Sequence, residues 1–164
     1  MTNPVESKTK SEALPLPEAV EQLLEEARMV LPGMQALFGF QLIAVFNDGF
    51  SKHLPETLQR VHLVAIALTC VAVALVMTPA AYHRQTSPRA VSEDFLRLST
   101  RLLVGSMFPL AASIAAEVYL VGFVVLKTPW AGAIAGGVFV MFLGLWFLLP
   151  MLRTSAGRNR ERED

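Results

Sequence analysis

Residues 99–127, STRLLVGSMFPLAASIAAEVYLVGFVVLK, decide the fold of this chain. The stretch is long and apolar enough to cross a membrane, since about 20 apolar residues span a bilayer as a helix. Its interior contains one acid, Glu117. A carboxylate in lipid costs several kcal/mol unless it is paired, hydrated or protonated. We therefore expect a membrane helix whose acid faces other protein groups.

The rest of the chain has the same apolar character. Of its 164 residues, 53% are hydrophobic and 17% are charged, and the charges are unevenly distributed. Asp, Glu, Lys and Arg are absent from 29–47, 61–83 and 128–152. The sequence predicts an all-α integral membrane bundle of four transmembrane helices, with no separate soluble domain. The expected spans are 29–46, 61–81, 102–126 and 130–149.

An amphipathic helix is predicted before the first span, over 17–31. Its apolar side chains recur at helical spacing, and Glu21, Glu25 and Arg28 occupy the opposite face. We expect this helix to lie on the inner membrane surface or against the bundle, with a bend near Pro32. The domain plan is a disordered 1–14, one transmembrane domain over 15–152 and a polar tail over 153–164. No cleaved signal peptide is expected, because no basic leader precedes the first apolar run.

The distribution of lysine and arginine predicts the orientation. Basic residues concentrate in the N-terminal segment, the middle loop with its flanks and the C-terminal tail, and only Lys52, Arg60 and Lys127 lie near the other two connections. Because loops rich in lysine and arginine stay in the cytoplasm, both termini are expected there.

Glu117 is predicted to lie in a polar layer of the membrane interior. It lies three residues beyond the centre of its span, and the equivalent depths on the other spans are Gln41, Thr69 and the Gly136–Gly137 pair. These positions offer the acid either a hydrogen-bonding partner or space. Glycines in the last span, Gly132 and Gly136 among them, also permit a close approach of helices.

Residues seven apart share a helix face and extend this layer into a polar stripe. Asp48 lies above Gln41 and His62 lies above Thr69, which predicts an outer mouth at Asp48 and His62. On the third span, Ser99, Ser106 and Ser113 share one side with Glu117, so these serines lead inward from the acid.

The polar layer supports two interpretations. A buried acid with amide and hydroxyl neighbours suits a proton or cation relay with Glu117 as the titrating group. The same groups could instead hold the bundle or a dimer interface together, since small and hydroxylated residues commonly mediate helix packing in membranes.

Other classes of function have little support in the sequence. The net charge is zero, so no nucleic-acid partner is expected. The single cysteine, Cys70, excludes a cysteine metal site within one chain. His62 and His83 lie 21 residues apart, too far along one helix to hold a haem together. We expect no enzyme activity and no cofactor.

Four segments carry a resemblance to a known family: LPGMQALFGFQLIAVF (31–46), PAAYHR (79–84), AAEVYLV (115–121) and FLGLWFLLP (142–150). Over about 25–153 the chain resembles an uncharacterised family of small bacterial four-helix membrane proteins, whose members are sometimes labelled sodium:proton antiporters by automatic naming. This resemblance implies a location in the bacterial cytoplasmic membrane, but it supplies no functional residues.

Two functions follow from these expectations. The first is proton- or cation-coupled transport with Glu117 as the titrating group. Because four spans enclose little interior, we expect this function to need a homo-oligomer. The second is a non-catalytic accessory or assembly subunit of a larger membrane complex, in which Glu117 is structural. The expected partners are membrane lipid and either further copies of the chain or another membrane protein.

Overall fold

The computed structural model describes residues 15–86 and 92–152, and every regular element in these ranges is a helix. The predicted all-α class is thus confirmed. The elements are α1 (Leu16–Val45), α2 (Asp48–His53), α3 (Glu56–Thr86), α4 (Glu93–Leu126) and α5 (Trp130–Leu143), which a π-helical turn continues over Gly144–Leu148. The segments 1–14 and 153–164, for which disorder and a polar tail are predicted, lie outside the described residues.

Four of these helices are long and apolar enough to cross a membrane. Their side chains also suit lipid, because large apolar residues such as Phe40, Leu63, Val121 and Val140 are exposed on the helix surfaces. An apolar outer surface of this kind is expected of a protein solvated by hydrocarbon. The chain therefore has the features of a four-span membrane protein.

Helix α1 joins two segments that the sequence analysis separates. The predicted helix 17–31 and the predicted span 29–46 form one helix that continues through Pro32. Proline cannot donate the usual backbone hydrogen bond. Ala27 and Met34, on either side of it, are nevertheless both buried against Ala72 and Val76 of α3. Tertiary packing thus holds α1 against α3 on both sides of the proline.

Helices α3 and α4 form the most extensive contact of the described structure. They are antiparallel, since Thr69 contacts Ser113 while Tyr82 stacks on Phe95. The buried residues of α3 alternate spacings of four and three: Leu58, His62, Ala65, Thr69, Ala72, Val76 and Pro79. Such a heptad pattern is typical of two helices that cross at a small left-handed angle. The contact is narrow, because α4 presents mostly serine and alanine to it.

Helix α5 packs on α4 through alanines rather than glycines. Its buried residues are Ala131 and Ala135, and a Cβ added at Gly122 of α4 would lie 3.1 Å from the Cβ of Ala131. In contrast, a Cβ at Gly136 or Gly137 would have no atom of another described helix within 4 Å. The sequence predicts that Gly136 and Gly137 leave a gap beside Glu117. In the structure these two glycines do not face another described helix, so this prediction is wrong. They are exposed because Ala131 and Ala135, one helical turn apart, face α4, whereas Gly136 and Gly137 follow Ala135 by one and two residues and lie on other sides of α5.

The short helix α2 closes one end of the bundle, which we call the α2 end. Asn47 caps this helix by accepting a hydrogen bond from the backbone N–H of Gly49 at 2.9 Å. The helix places Phe50 over the ring of His62, with 5.1 Å between the ring centroids. Phe50, which lies outside the predicted spans, therefore covers one side of the buried His62 ring.

The α1–α3 contact can be tested by enlarging one alanine. We expect Ala72→Leu to lower the free energy of unfolding by about 1–3 kcal/mol, because the added atoms force α1 away from α3. Ala74→Leu is the matched control on the exposed side of the same helix and should change this free energy by less than about 0.5 kcal/mol. Thermal unfolding of the purified protein in detergent measures both. Equal effects of the two variants would contradict the packing described.

Candidate functional site

Five polar side chains from three helices meet in the interior, and we call them the polar cluster. They are Gln41 of α1, His62 and Thr69 of α3, and Ser113 and Glu117 of α4. Four of the five are buried, whereas the side chain of Glu117 is 21% exposed. The groups around them are apolar, so each polar atom depends on the others for its hydrogen bonds.

His62 has both ring nitrogens in hydrogen-bonding positions. Its Nε2 lies 2.9 Å from the backbone carbonyl oxygen of Gln41, and its Nδ1 lies 3.0 and 3.2 Å from the two carboxyl oxygens of Glu117. A carbonyl oxygen only accepts hydrogen bonds, so Nε2 must carry a hydrogen. Nδ1 and the carboxyl group can then form a hydrogen bond only if one proton lies between them.

With one shared proton, the pair can exist in two forms that have the same total charge. Either His62 is an imidazolium facing the Glu117 carboxylate, or a neutral imidazole accepts a hydrogen bond from the Glu117 carboxylic acid. The total charge of the pair is zero in both. A neutral pair is far less costly in an apolar interior than a lone carboxylate. The pairing with His62 therefore explains how a membrane helix can accommodate Glu117.

The side-chain amide of Gln41 connects the pair to the hydroxyl groups. Its Nε2 donates to Ser113 Oγ at 2.9 Å and to Glu117 Oε1 at 3.0 Å. Its carbonyl oxygen Oε1 is buried and has no hydrogen-bond partner among the described residues. Gln41 thus uses both hydrogens of its amide and leaves one buried acceptor unoccupied.

Ser113 and Thr69 end the network on the backbone of α3. Their hydroxyl oxygens are 2.7 Å apart, and both lie within reach of the Ala65 carbonyl oxygen, at 2.8 Å from Ser113 and 3.2 Å from Thr69. Each hydroxyl has one hydrogen, so one donates to Ala65 while the other donates to its neighbour. Either arrangement satisfies both groups and leaves the Ser113 oxygen free to accept from Gln41.

The depth estimate from the sequence is displaced by one helical turn. It places Glu117 level with Thr69, whereas the structure places Ser113 beside Thr69 and Glu117 beside His62. The reason is the register of the antiparallel pair, which the predicted centres of the spans locate only to within a few residues. Gln41 reaches both levels because its amide bridges Ser113 and Glu117.

The two residues of the expected outer mouth have different positions in the structure. His62 is buried within the polar cluster, whereas Asp48 is exposed at the first turn of α2. His62 points inward because it continues the heptad of Ala65 and Thr69 along the buried face of α3. An imidazole on that face is enclosed by α1 and α4 rather than exposed at an entrance.

The inward serines are not linked to the cluster by hydrogen bonds among the described residues. Ser106 is buried and donates to the Leu103 carbonyl of its own helix at 2.7 Å. Ser99 is also buried, and its hydroxyl has no partner in the described part of the chain. Ser99, Ser106 and Ser113 share one face as predicted, but that face is a packing surface against α3.

A cleft opens beside the acid and the histidine toward the α2 end. Its volume is about 210 Å³, and His62 and Glu117 are its only polar side chains among the residues described. The other lining residues are apolar: Ala44, Phe50, Leu54, Leu120, Val121, Val124 and Val125. The shared proton is therefore reached through an apolar opening.

Sequence reasoning underestimated His62 and missed the Ala65 carbonyl as an acceptor. The heptad of α3 is the signal that could have identified both, since His62, Ala65, Thr69 and Ala72 recur at spacings of three and four. That pattern places an imidazole on the buried face. Among the described residues, no group of three His, Cys, Asp or Glu side chains could hold a metal ion.

Comparison with known proteins identifies a family but no activity. A family model described as "Family of unknown function (DUF6328)" matches residues 16–150. This match confirms the expected resemblance to an uncharacterised family. The comparison with curated proteins gave no match, and the comparison with solved structures gave none either.

The bridging role of Gln41 can be tested by removing its amide. Gln41→Leu should lower the free energy of unfolding by about 1–3 kcal/mol, because Glu117 and Ser113 each lose a donor inside the protein. Gln35→Leu makes the same change at an exposed position of α1 and should not destabilise the protein. Thermal unfolding in detergent compares them. An unchanged Gln41→Leu variant would show that the cluster does not depend on the amide.

Proposed function

The chain belongs to the family of unknown function DUF6328, and we propose that it is a multi-pass membrane protein that transfers protons through the Glu117–His62 pair. One observation carries this proposal. His62 lies between the backbone carbonyl of Gln41 and the Glu117 carboxyl group. The carbonyl only accepts hydrogen bonds, so Nε2 carries a hydrogen, and Nδ1 must then share a proton with the carboxyl group.

The geometry suits transfer of a proton rather than mere storage. The gap between Nδ1 and the nearer carboxyl oxygen is 3.0 Å, a hydrogen-bonding distance. Moving the hydrogen across this gap converts the imidazolium and carboxylate into a neutral imidazole and a carboxylic acid, and it requires no movement of heavy atoms. The pair is also accessible, since part of Glu117 faces the cleft at the α2 end. Protons can therefore enter and leave from that side.

Transfer to the opposite end needs a second conformation. In the described structure the hydroxyls of Ser113 and Thr69 end on the Ala65 carbonyl, and Ser106 bonds to its own helix. We propose that the α3–α4 contact opens in that conformation, because its small side chains interdigitate little. A homo-oligomer could supply the remaining wall of the path, since four spans enclose little interior.

The proposed location is the bacterial cytoplasmic membrane, with both termini in the cytoplasm. Four helices of membrane-spanning length support a membrane location. The orientation is supported by the basic residues of the sequence, most of which lie in the two terminal segments and in the middle loop with its flanks.

The second candidate is an accessory or assembly subunit, in which the polar cluster only holds the helices together. The position of α5 favours it. Only Ala131 and Ala135 of this helix are buried, so much of its surface is left for lipid or for another membrane protein. In that case the shared proton would serve to neutralise Glu117 and would not be exchanged.

Proton flux into liposomes distinguishes the two candidates. Glu117→Gln should reduce the flux to that of protein-free vesicles, because an amide carries no exchangeable acid proton. Its stability should remain close to that of the wild type, since the new amide can donate to His62 Nδ1 and accept from Gln41. A pH-sensitive dye inside the liposomes reports the flux, and thermal unfolding reports the stability.

Glu93→Gln is the matched control for this comparison. It makes the same chemical change in an exposed ion pair with Arg97 at the start of α4, and its flux should equal that of the wild type. Equal fluxes from the wild type and Glu117→Gln would refute proton transfer. If Glu117→Gln instead unfolds at a much lower temperature, the accessory role with a structural Glu117 is favoured.

A further inference from the structure

The cleft beside the Glu117–His62 pair has a composition that indicates a ligand. Its wall is apolar except for these two groups, which lie together where the cleft meets the polar cluster. Small-molecule sites generally combine an apolar wall with a few polar groups that determine the orientation of the ligand. At 210 Å³ the cleft is smaller than the roughly 300–1,000 Å³ of such sites, so it suits a compact polar head with a short apolar body.

The polar atoms at this point are mainly acceptors. The carboxylate of Glu117 accepts hydrogen bonds, and Nδ1 of His62 accepts one when the imidazole is neutral and has its hydrogen on Nε2, facing the Gln41 carbonyl. Oε1 of Gln41, which does not line the cleft, is a further buried acceptor without a partner among the described residues. A cluster of acceptors around one carboxylate favours a cation that has several N–H donors.

Other charged groups near the cleft do not compete for this position. Among the described side chains, none that line the cleft is a lysine or an arginine, and α1 contributes only Ala44. Lys52 and Lys127 line a second cavity of about 430 Å³ that shares Val124 with the cleft, and both lysines are exposed. Their charges are therefore screened by water, whereas the Glu117–His62 pair is largely shielded from it.

We propose that the cleft binds lipophilic primary amines as their ammonium ions, in exchange for the proton shared by Glu117 and His62. This inference rests on the proposed function, because it assumes that the shared proton leaves and returns. The ammonium group would donate to both the carboxylate and Nδ1, which must move apart from their separation of 3.0 Å to admit it, and the apolar body of the amine would lie along the valines and leucines of the cleft.

The charges balance in this exchange. Before binding, one proton lies between Nδ1 and the carboxyl group, and the pair has zero net charge. The ammonium ion brings one positive charge, and the shared proton leaves to water. Glu117 is then a carboxylate and His62 is a neutral imidazole with its hydrogen on Nε2. Two N–H groups of the ammonium donate to Glu117 and to Nδ1, so the total charge is again zero.

The open side of the cleft accommodates amines with longer chains. Val121 and Val125 form part of its lining and are 62% and 70% exposed, so the rim adjoins the lipid-facing surface of α4. An apolar chain too long for the cleft could extend from this rim into the hydrocarbon. The site thus selects for the ammonium head and tolerates variation in the body.

The test uses the full-length protein in detergent and 2-phenylethylamine as the probe at pH 7. We expect saturable binding by calorimetry and the release of one proton per bound amine, measured with a pH indicator in weak buffer. The neutral analogue 2-phenylethanol should bind at least about tenfold more weakly, and so should the trimethylammonium analogue, which has no N–H donor. Similar affinities for all three, or binding without proton release, would overturn the proposal.

Three variants locate the site. Glu117→Gln should abolish binding of the amine, Glu93→Gln should retain it, and Val121→Trp should weaken it by filling the cleft. Thermal unfolding confirms that each variant is folded, and binding by folded Glu117→Gln would overturn the site.

If Glu117→Gln loses proton flux but the wild type binds no amine, this inference fails and proton transfer stands. If the wild type exchanges amine for a proton but its flux equals that of Glu117→Gln, proton transfer fails instead.

Discussion

The sharing of one proton between Glu117 and His62 is the interaction on which the rest of the structure depends. A lone carboxylate in an apolar interior is too costly to persist. The backbone carbonyl of Gln41 directs the hydrogen of the imidazole to Nε2, and this leaves Nδ1 to share a proton with the acid. Because the result is neutral, the helices can pack around it without a counter-ion. Two of the three helices that supply these groups, α3 and α4, form the most extensive contact of the described structure.

The narrow contact between α3 and α4 makes this geometry possible. Alanines and serines on the facing sides bring the two backbones close, and Ser113 can therefore donate to the Ala65 carbonyl at 2.8 Å. Thr69 and Ser113 are fully buried at this level. The polar cluster is consequently closed toward the opposite end and open toward the α2 end, where the cleft reaches Glu117.

The fourth span has a different relation to the cluster. Helix α5 packs on α4 through two alanines and leaves its glycines exposed. It contributes none of the hydrogen-bonding side chains of the cluster. The polar cluster of the described structure is thus formed by three helices, with α5 attached to one side. A fourth helix with so much exposed surface is suited to contacts with lipid or with other chains.

The sequence by itself determined the class of the fold and the chemistry at its centre. Apolar windows of spanning length identify the four helices, and Glu117 is recognisable as a buried acid because nothing else in its window is charged. Spacing of seven also placed Ser99, Ser106 and Ser113 on one face. These features are local, since they depend on helical periodicity and on the cost of charge in lipid. Only the tertiary structure decided that Glu117 faces His62 rather than Thr69, that α1 continues through Pro32 and that α5 turns its alanines to α4. Each of these depends on the register between helices distant in sequence, which is set by side-chain packing and not by the periodicity of any one helix.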